Sequence, residues 1–294
     1  MSNLASPPGV ELEHLQRTIG TVVHGLDLRK AIAPETARFL RSLWLERKVI
    51  FFEGQDITIA QHVALGRCFG RLDTFLGNEG SQGHKAGHPE LLVLKRGMDD
   101  RERESFFHHD VPFTNPPVNG AVALVREGPE VGGDTLFVDM AAAYDNMSDW
   151  LKRAVVGLRA EHRISELAGY YNQNWVGERL ARMVEKYPPM VHPVVRTHPE
   201  TGRKVLYVSL AYAAKILDVP KNESFALIKL LADQAQIPEH QCRWRWKKNS
   251  IAIWDNRSTQ HYACFDYLGE PRELHRVTIL GDHRWPETDE AAPA

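Results

Sequence analysis

The C-terminal third of the sequence contains the pattern that most constrains the fold, a succession of short segments with strand periodicity. Residues 242–246 read Cys-Arg-Trp-Arg-Trp, so cysteine and tryptophan would share one face of a strand and arginine the other. Residues 247–250 are typical of a turn, and the apolar residues 251–254 predict a buried strand after it. Residues 272–279 predict one more strand. This succession favours an all-β core.

The rest of the chain adds further short strands and a few helices. Apolar residues at helical spacing, together with Pro34 in a first turn and Thr58, Ser148 and Asn222 as N-caps, predict four helices. These are residues 34–46, 59–68, 148–158 and 222–236. Short apolar runs predict strands at residues 49–52, 91–94, 118–125 and 205–209. We therefore predict a mainly β fold with helical decoration.

The tripeptide His108-His109-Asp110 is a candidate metal-binding motif. On a strand, His108 and Asp110 are two residues apart and point to the same side, while His109 points away or lines the cavity. A non-haem Fe(II) oxygenase holds its metal with two imidazoles and one carboxylate on one face. We choose His108 and Asp110 as ligands and expect His261 to supply the third.

Two arginines lie on the predicted strand at residues 272–279. Arg272 and Arg276 are four residues apart, so both point to one face with Leu274 between them, and His275 faces the other way in a structural role. Inward guanidinium groups are very costly to bury unless they meet anions. A bidentate arginine–carboxylate pair is what a dicarboxylate co-substrate needs.

Residues 254–281 closely resemble the taurine dioxygenase/2,4-dichlorophenoxyacetate dioxygenase (TauD/TfdA) family of Fe(II)/2-oxoglutarate-dependent enzymes. The family pattern is His-x-Asp, a long gap, His and then Arg, which His108, Asp110, His261 and Arg272 match. Residues 132–137 (Gly-Gly-Asp-Thr-Leu-Phe) match as well, and the likeness runs from about residue 18 to residue 282. The resemblance implies a double-stranded β-helix (jelly roll) with helices packed outside and the metal at one mouth of the barrel.

The resemblance also implies the co-substrate and the residues that hold it. Fe(II) would sit on the three chosen ligands, with 2-oxoglutarate as co-substrate and O₂ as oxidant. Thr135 and Arg272 would bind the far carboxylate of 2-oxoglutarate, and Arg276 would lie by its α-carboxylate end and the substrate anion. Trp254 and Asn256 would support the site by packing or hydrogen bonding rather than react.

Substrate specificity is expected to depend on a pocket beside the metal. Its candidate lining residues are Phe75, Glu104, Val111, Tyr212 and Arg276. Near Phe75 the taurine enzyme has a histidine that grips the sulfonate, and this chain has no counterpart; Glu104 stands where that enzyme has an asparagine near the substrate amine. We therefore expect a larger substrate than taurine, with a cationic group near Glu104.

Composition excludes several classes of partner. Lysine and arginine number 36 against 38 aspartate and glutamate, a net charge of −2, so nothing indicates nucleic acid or an anionic membrane surface. The three cysteines (Cys68, Cys242 and Cys264) show no Cys-x-x-Cys spacing, which fits a reduced, cytoplasmic protein. No apolar run approaches the ~20 residues of a membrane span.

The chain length and its loops suggest one catalytic domain. We expect a loose N-terminal arm at residues 1–15, a single jelly-roll domain at residues 16–286 and a C-terminal tail at residues 287–294. Residues 73–90, which are rich in glycine, and residues 164–190, which are rich in aromatic side chains, are candidates for a lid or a pocket wall. Family analogy implies a homo-oligomer, a dimer or tetramer.

The predicted activity is hydroxylation of an unactivated C–H bond in a small organic substrate, with succinate and CO₂ as co-products. The substrate would be a sulfonate, an alkyl sulfate, an aryloxyalkanoate or a related amine or acid. The same residues could instead carry out desaturation, cyclisation or another oxidative rearrangement. A non-catalytic metal-binding jelly roll and a zinc hydrolase are weaker alternatives, because both leave the paired arginines unexplained.

Overall fold

The central strands of the fold are apolar on both faces, so each face of their sheet must be covered by another sheet or by helices. The computed structural model describes residues 6–74, 84–85, 87–96, 106–164, 177–267 and 269–282. The strands in these residues are β1 (Glu11–His14), β2 (Thr21–His24), β3 (Val49–Phe52), β4 (His84–Lys85), β5 (His88–Arg96), β6 (Gly120–Glu127), β7 (Thr135–Asp139), β8 (Arg159–His162), β9 (Met190–Pro193), β10 (Val195–Thr197), β11 (Lys204–Leu206), β12 (Ala213–Ile216), β13 (Gln241–Trp244), β14 (Ile251–Asp255), β15 (Thr259–Ala263) and β16 (Arg272–Ile279).

Eight strands form the main sheet, in the order β1-β2-β3-β14-β6-β16-β5-β4. Its neighbours are antiparallel except for β2 and β3, which pair in parallel. Three strands form the minor sheet, in the order β13-β7-β15, and both of its pairs are antiparallel. The neighbours are mostly far apart in the sequence, so the sheet order could not be read from the strand pattern alone.

The two sheets pack face to face through alternate residues of their strands. Val49 and Phe51 of β3 join Phe137 of β7 and Trp244 of β13 in one buried cluster. The Phe51 and Trp244 rings are stacked, with centroids 4.2 Å apart and planes at 11°. The fold is therefore mainly β, with its central core between two sheets. The alternation predicted for residues 242–246 is confirmed, since Cys242 and Trp244 are buried and Arg243 is exposed.

The other face of the main sheet is covered by helices. The helices in the described residues are α1 (Pro34–Arg47), α2 (Ile59–Arg67), α3 (Met140–Asp145), α4 (Asp149–Val155), α5 (Gly177–Lys186) and α6 (Lys221–Ala232). Apolar residues of α1 and α2 pack on Ile50 and Phe52 of β3 and on Val277 of β16. Thr58 and Gln61 form a reciprocal capping box at the start of α2, as the N-cap prediction required.

A second layer covers the outer face of the minor sheet. It consists of α3, α4, α6, the three-stranded sheet β12-β8-β9 and the hairpin β10-β11, all packed around Val138 of β7. The predicted N-cap for α6 was wrong. Pro220 occupies that position, Asn222 lies within the helix, and the Ser224 hydroxyl accepts a hydrogen bond from the Ile216 backbone N–H at 2.7 Å. The helix also ends at Ala232, and residues Asp233–Gln236 form a 3-10 turn.

The N-terminal segment is more ordered than expected. Residues Glu11–His14, which the sequence analysis placed in a loose arm, form β1 at the edge of the main sheet and pair with β2. Leu12 is the only apolar residue of this four-residue strand, so the strand lacks the repeated apolar alternation that would have revealed it. In the part of the chain that the structure describes, no helix is long and apolar enough to cross a membrane.

Candidate metal centre

The predicted ligands His108 and His261 are brought together by a single antiparallel bridge. The backbone N–H of each donates to the carbonyl of the other, at 3.1 and 3.0 Å, although the two residues are 153 positions apart in the sequence. Their imidazole ring centroids are 4.3 Å apart. The minor-sheet strand β15 carries His261, so the pair lies at the edge of the space between the two sheets.

The Asp110 side chain lies beside the two histidines, but what orients it differs from the prediction. Residues 106–113 form no strand beyond the bridge at His108, so strand alternation does not orient the carboxylate. Instead the Asn256 side chain clamps the Asp110 backbone: its Oδ1 accepts from the Asp110 N–H at 2.7 Å and its Nδ2 donates to the Asp110 carbonyl at 2.9 Å. Val111 then turns the chain away at φ 49°, a strained conformation for a β-branched residue.

The three side chains offer one donor atom each to a common point. His108 Nε2 and His261 Nε2 lie 4.0 and 3.9 Å from Asp110 Oδ1, and all three donor atoms are within 4.8 Å of one another. The His108 Nδ1–H donates to the Phe106 carbonyl at 3.0 Å, because a carbonyl can only accept. In this tautomer the lone pair on Nε2 is the donor that His108 can offer to a metal.

Electrostatics keep Asp110 and His261 in the protonation states that a metal requires. Burial raises the pKa of the Asp110 carboxyl, but the Arg276 charge and the two neighbouring imidazoles outweigh it and hold the pKa at about 2. Burial lowers the pKa of His261 to about 3, and electrostatic repulsion from the neighbouring His108 ring acts in the same direction. An ionised carboxylate and neutral imidazole therefore coexist at neutral pH. Two imidazole nitrogens and one carboxylate oxygen are the donor set of Fe(II) oxygenases.

Arg276 lies directly against the metal-binding carboxylate. Its Nη1 donates to Asp110 Oδ1 at 3.2 Å, and its Nη2 is 3.2 Å from Oδ2. The guanidinium carbon also lies 5.7 Å from the centre of the Trp254 ring. Two other acidic residues in the C-terminal part of the sequence have different partners: Asp255 pairs with Arg257, and Glu273 pairs with His275.

Thr135 and Arg272 lie farther along strands β7 and β16 than Phe137 and Arg276, the residues of those strands nearest the metal ligands. Thr135 starts β7 and is buried, two residues from Phe137, which is the cross-strand partner of His261. The Arg272 guanidinium carbon lies 5.7 Å from the centre of the Tyr267 ring. Tyr267 in turn lies so close to Gly133 that a Cβ there would approach its ring to 3.1 Å. Among the described residues, no carboxylate forms an ion pair with Arg272.

A small aromatic cluster forms one wall beside the metal ligands. Phe113 packs against Tyr212 and Tyr187, with ring centroids 5.6 and 5.5 Å apart, and Val111 contacts the same cluster. The Tyr212 ring meets the edge of His108 at 6.2 Å. The structure therefore brings Val111 and Tyr212 together next to the ligands. Phe75 and Glu104, together with residues 75–83 and 165–176 of the two candidate lid segments, lie outside the described residues.

His109, the rival of His108 for metal binding, points away from the ligand set. Its Nδ1–H donates to the Asn256 carbonyl at 3.1 Å, and its Nε2 lies 3.2 Å from the Gln260 amide nitrogen. The ring stacks on Tyr207 with centroids 4.1 Å apart. Burial, opposed by the bond to Asn256, lowers the pKa of His109 to about 3. His109 therefore anchors the motif from behind.

Trp254 supports the site by packing, as expected for a residue behind the ligands. Its ring centroid is 5.2 Å from that of His261 and 5.8 Å from that of Phe137. Sequence reasoning missed Trp246, whose indole contacts Thr135, and the wall residue Phe113. Tyr187 belongs to the segment at residues 164–190 that the sequence indicated as a candidate pocket wall. The alternation of residues 242–246 placed Trp246 on the inner face, but nothing in it named the partner.

Comparison with known proteins agrees with this geometry. The family model of the taurine catabolism dioxygenase TauD, TfdA family matches residues 11–278. The protein belongs to the TauD/TfdA family. This TauD/TfdA protein is 30% identical to an alkylsulfatase of Acinetobacter baylyi, over 93% of this chain and 86% of the relative. It is also 30% identical to the 2,4-dichlorophenoxyacetate dioxygenase of Cupriavidus pinatubonensis, over 88% of this chain and 94% of the relative.

A solved structure gives the same result. The crystal structure of a taurine dioxygenase from Burkholderia xenovorans superposes with a TM-score of 0.80 and 33% identity, covering 98% of this chain and 97% of that one. The TauD/TfdA protein described here is therefore an Fe(II)/2-oxoglutarate-dependent dioxygenase that acts on a small molecule with O₂. The donor set of His108, Asp110 and His261 fits its iron.

Proposed function

We propose that this enzyme hydroxylates an unactivated C–H bond of a small organic anion. One atom of O₂ enters the substrate and the other enters succinate, which is formed from 2-oxoglutarate with release of CO₂. The observation that carries the proposal is the placement of two partly buried arginines on strand β16, with Arg276 beside the metal ligands and Arg272 four residues farther along the strand, over the Tyr267 ring. An inward arginine needs an anion, and a dicarboxylate offers one at each end.

The proposed iron ligands are His108, Asp110 and His261. Iron, when bound, supplies the O₂ chemistry that no side chain of this chain could perform. The protein's own contribution is positioning. Asn256 fixes the peptide of Asp110, the Phe106 carbonyl fixes the His108 tautomer, and Trp254 packs against the His261 ring. Each contact limits the freedom of one ligand before the metal arrives.

The proposed co-substrate site runs from the ligands toward Thr135. Arg272 would bind the far carboxylate of 2-oxoglutarate through two parallel N–H bonds, and the Thr135 hydroxyl would add a third hydrogen bond. Arg276 would lie near the α-carboxylate end and the anionic group of the substrate, since it already holds one carboxylate at that point. Arg272 then meets a carboxylate, and Arg276, which already contacts Asp110, meets a second negative charge.

The proposed substrate carries an anionic group and an apolar body. The relatives reported above are named for an alkyl sulfate, an aryloxyacetate and a sulfonate, which share that combination. The wall formed by Phe113, Tyr187 and Tyr212 offers aromatic surface for the apolar part. Val111, Phe75 and Glu104 remain candidates for the pocket, and a cationic substrate group near Glu104 remains our hypothesis.

The finer architecture and setting are part of the same proposal. We infer that the two facing sheets are the double-stranded β-helix of the family, within one catalytic domain at residues 16–286. Three free cysteine thiols support a cytoplasmic location. The near-neutral charge balance supports the absence of nucleic-acid or membrane partners. A homo-oligomer follows only from family analogy.

The test is a coupled turnover assay with a panel of anionic substrates. Purified enzyme with Fe(II), 2-oxoglutarate and ascorbate is incubated with alkyl sulfates, alkanesulfonates and aryloxyalkanoates, and succinate and organic product are both quantified. We expect one succinate per product and a product that has gained one oxygen atom or fragmented after doing so. A product that has lost two hydrogens without gaining oxygen would contradict hydroxylation and support desaturation.

A further inference from the structure

A buried hydrogen bond joins Trp246 to Thr135, and it has a direction. The Trp246 indole N–H donates to Thr135 Oγ1 at 2.9 Å, and both side chains are buried. Indole nitrogen is a donor only, whereas a threonine hydroxyl carries one hydrogen and two lone pairs. Thr135 must therefore accept from Trp246, and its own hydrogen is left to donate to another group.

The position of Thr135 on β7 relates its hydroxyl group to the metal ligands. Phe137 pairs with His261 across β7 and β15, and Thr135 pairs with Ala263. Residues two apart on a strand share a face at a spacing of about 7 Å. Thr135 thus lies on the face of the metal ligand His261, one side-chain repeat along the strand. That spacing suits a five-carbon dicarboxylate held by the metal at one end.

We propose that Trp246 is a positioning residue for the co-substrate. By occupying the acceptor side of the Thr135 hydroxyl, it directs the hydroxyl hydrogen toward the far carboxylate of 2-oxoglutarate. Without Trp246 the hydroxyl would rotate freely among several partners, and the carboxylate would lose an oriented donor. This inference rests on the proposed function, because it needs 2-oxoglutarate to bind between the ligands and Thr135.

The chain provides a matched control two residues away. Trp244 is buried in the same cluster, and its ring meets that of Trp246 edge-on with centroids 6.4 Å apart. Its indole N–H has no hydrogen-bond partner among the described residues. Replacing either tryptophan by phenylalanine removes the same volume and the same N–H group, but only Trp246→Phe removes a hydrogen bond to Thr135.

The experiment measures binding rather than turnover. The Kd of N-oxalylglycine, a non-reacting analogue of 2-oxoglutarate, is determined by calorimetry on Mn(II)-loaded full-length protein. We expect Trp246→Phe to weaken binding about tenfold, the effect of one charge-assisted hydrogen bond, and Trp244→Phe to change it less than twofold. Circular dichroism and thermal melting of every variant show whether it is folded.

A double-mutant cycle separates positioning from packing. If Trp246 acts through Thr135, the double variant Trp246→Phe/Thr135→Val binds no more weakly than Thr135→Val alone. In a Thr135→Ser background, which keeps the hydroxyl, the tenfold effect of Trp246→Phe returns. Additive losses, or wild-type affinity in Trp246→Phe, would overturn the inference and leave the proposed function intact. No binding to the wild-type protein would overturn both.

Discussion

Arg276 and Asp110 face each other in a two-point contact, with Nη1 and Nη2 of the guanidinium 3.2 Å from Oδ1 and Oδ2 of the carboxylate. The two residues are 166 positions apart and come from β16 and from the turn after His109. The chain itself therefore provides a cation that balances the charge of the metal-binding carboxylate. Any divalent ion at this site must share Asp110 with Arg276.

The first prediction concerns this shared carboxylate. Arg276→Gln should lower the unfolding free energy of the metal-free protein by about 2 kcal/mol, because a largely buried carboxylate loses its counterion. Mn(II) should then stabilise the variant more than it stabilises the wild type, since the metal replaces the missing charge. Chemical denaturation with and without Mn(II) measures both effects.

A surface pair provides the control for that comparison. Arg203 pairs with Asp145 at 2.6 Å, and both side chains are exposed, at 39% and 55%. Arg203→Gln should therefore change stability by less than about 1 kcal/mol and leave the response to Mn(II) as in the wild type. Equal stability and equal Mn(II) responses in Arg276→Gln and the wild type would show that the pair does not contribute.

The second prediction concerns the amide that holds the Asp110 peptide. Asn256→Ala removes both hydrogen bonds to that backbone and should weaken Mn(II) binding by roughly 10- to 100-fold, as is typical when support for a ligand is lost. Electron paramagnetic resonance titration of free Mn(II) gives the affinity. Asn146→Ala, which removes an amide hydrogen bond to Ala142 at 2.9 Å, should leave the affinity unchanged.

The third prediction concerns the co-substrate. Arg272→Ala should raise the 2-oxoglutarate concentration needed for half-maximal activity by roughly 10- to 100-fold, because it removes a charge-assisted pair with the far carboxylate. Arg272→Lys should recover part of the loss, as it keeps the charge but not the bidentate geometry. A normal 2-oxoglutarate requirement in Arg272→Ala contradicts the assignment.

The fourth prediction concerns acid stability. Burial lowers the pKa of His62 from 6.5 to about 4, against the opposing effect of its hydrogen bond to the Val122 carbonyl at 3.1 Å. Between those values the unfolded chain binds the proton more readily, so stability falls as the pH drops from 6.5 to 4. From pH 7.5 to pH 5 this single residue should cost about 2 kcal/mol.

Comparison of His62→Gln with the wild type isolates that contribution. His62→Gln keeps a donor for the Val122 carbonyl but cannot titrate, so its stability loss between pH 7.5 and 5 should be smaller by about that amount. An unchanged slope in His62→Gln means that His62 is not held neutral by burial.

Local patterns in the sequence predicted the elements well where one rule determined the outcome. Alternation assigned residues 272–279 to a strand with Arg272 and Arg276 on one face, and Leu274 between them does pack into the inter-sheet core. The capping box at Thr58 set the start of α2. At α6 the rule failed, because the N-cap residue is Pro220, which makes no side-chain capping hydrogen bond and so leaves no capping signal in the sequence.

Long-range contacts could not be read from spacing. The His-x-Asp spacing was interpreted through strand alternation, yet Asp110 is oriented by Asn256, 146 positions away. Trp246 reaches Thr135 across 111 positions. Each contact follows from the order in which the strands assemble, because that order decides which side chains meet. The family resemblance named the ligands, but only the folded chain shows what holds them.

The most direct test of the account is anaerobic addition of Fe(II) and 2-oxoglutarate to the metal-free protein, followed by visible absorbance. We expect a weak metal-to-ligand charge-transfer band that shifts when an anionic substrate is added, because His108, Asp110 and His261 leave room for the chelating keto acid. Absence of the band in folded protein with iron bound, as checked by metal analysis after gel filtration, would contradict a 2-oxoglutarate site between the metal ligands and Arg272.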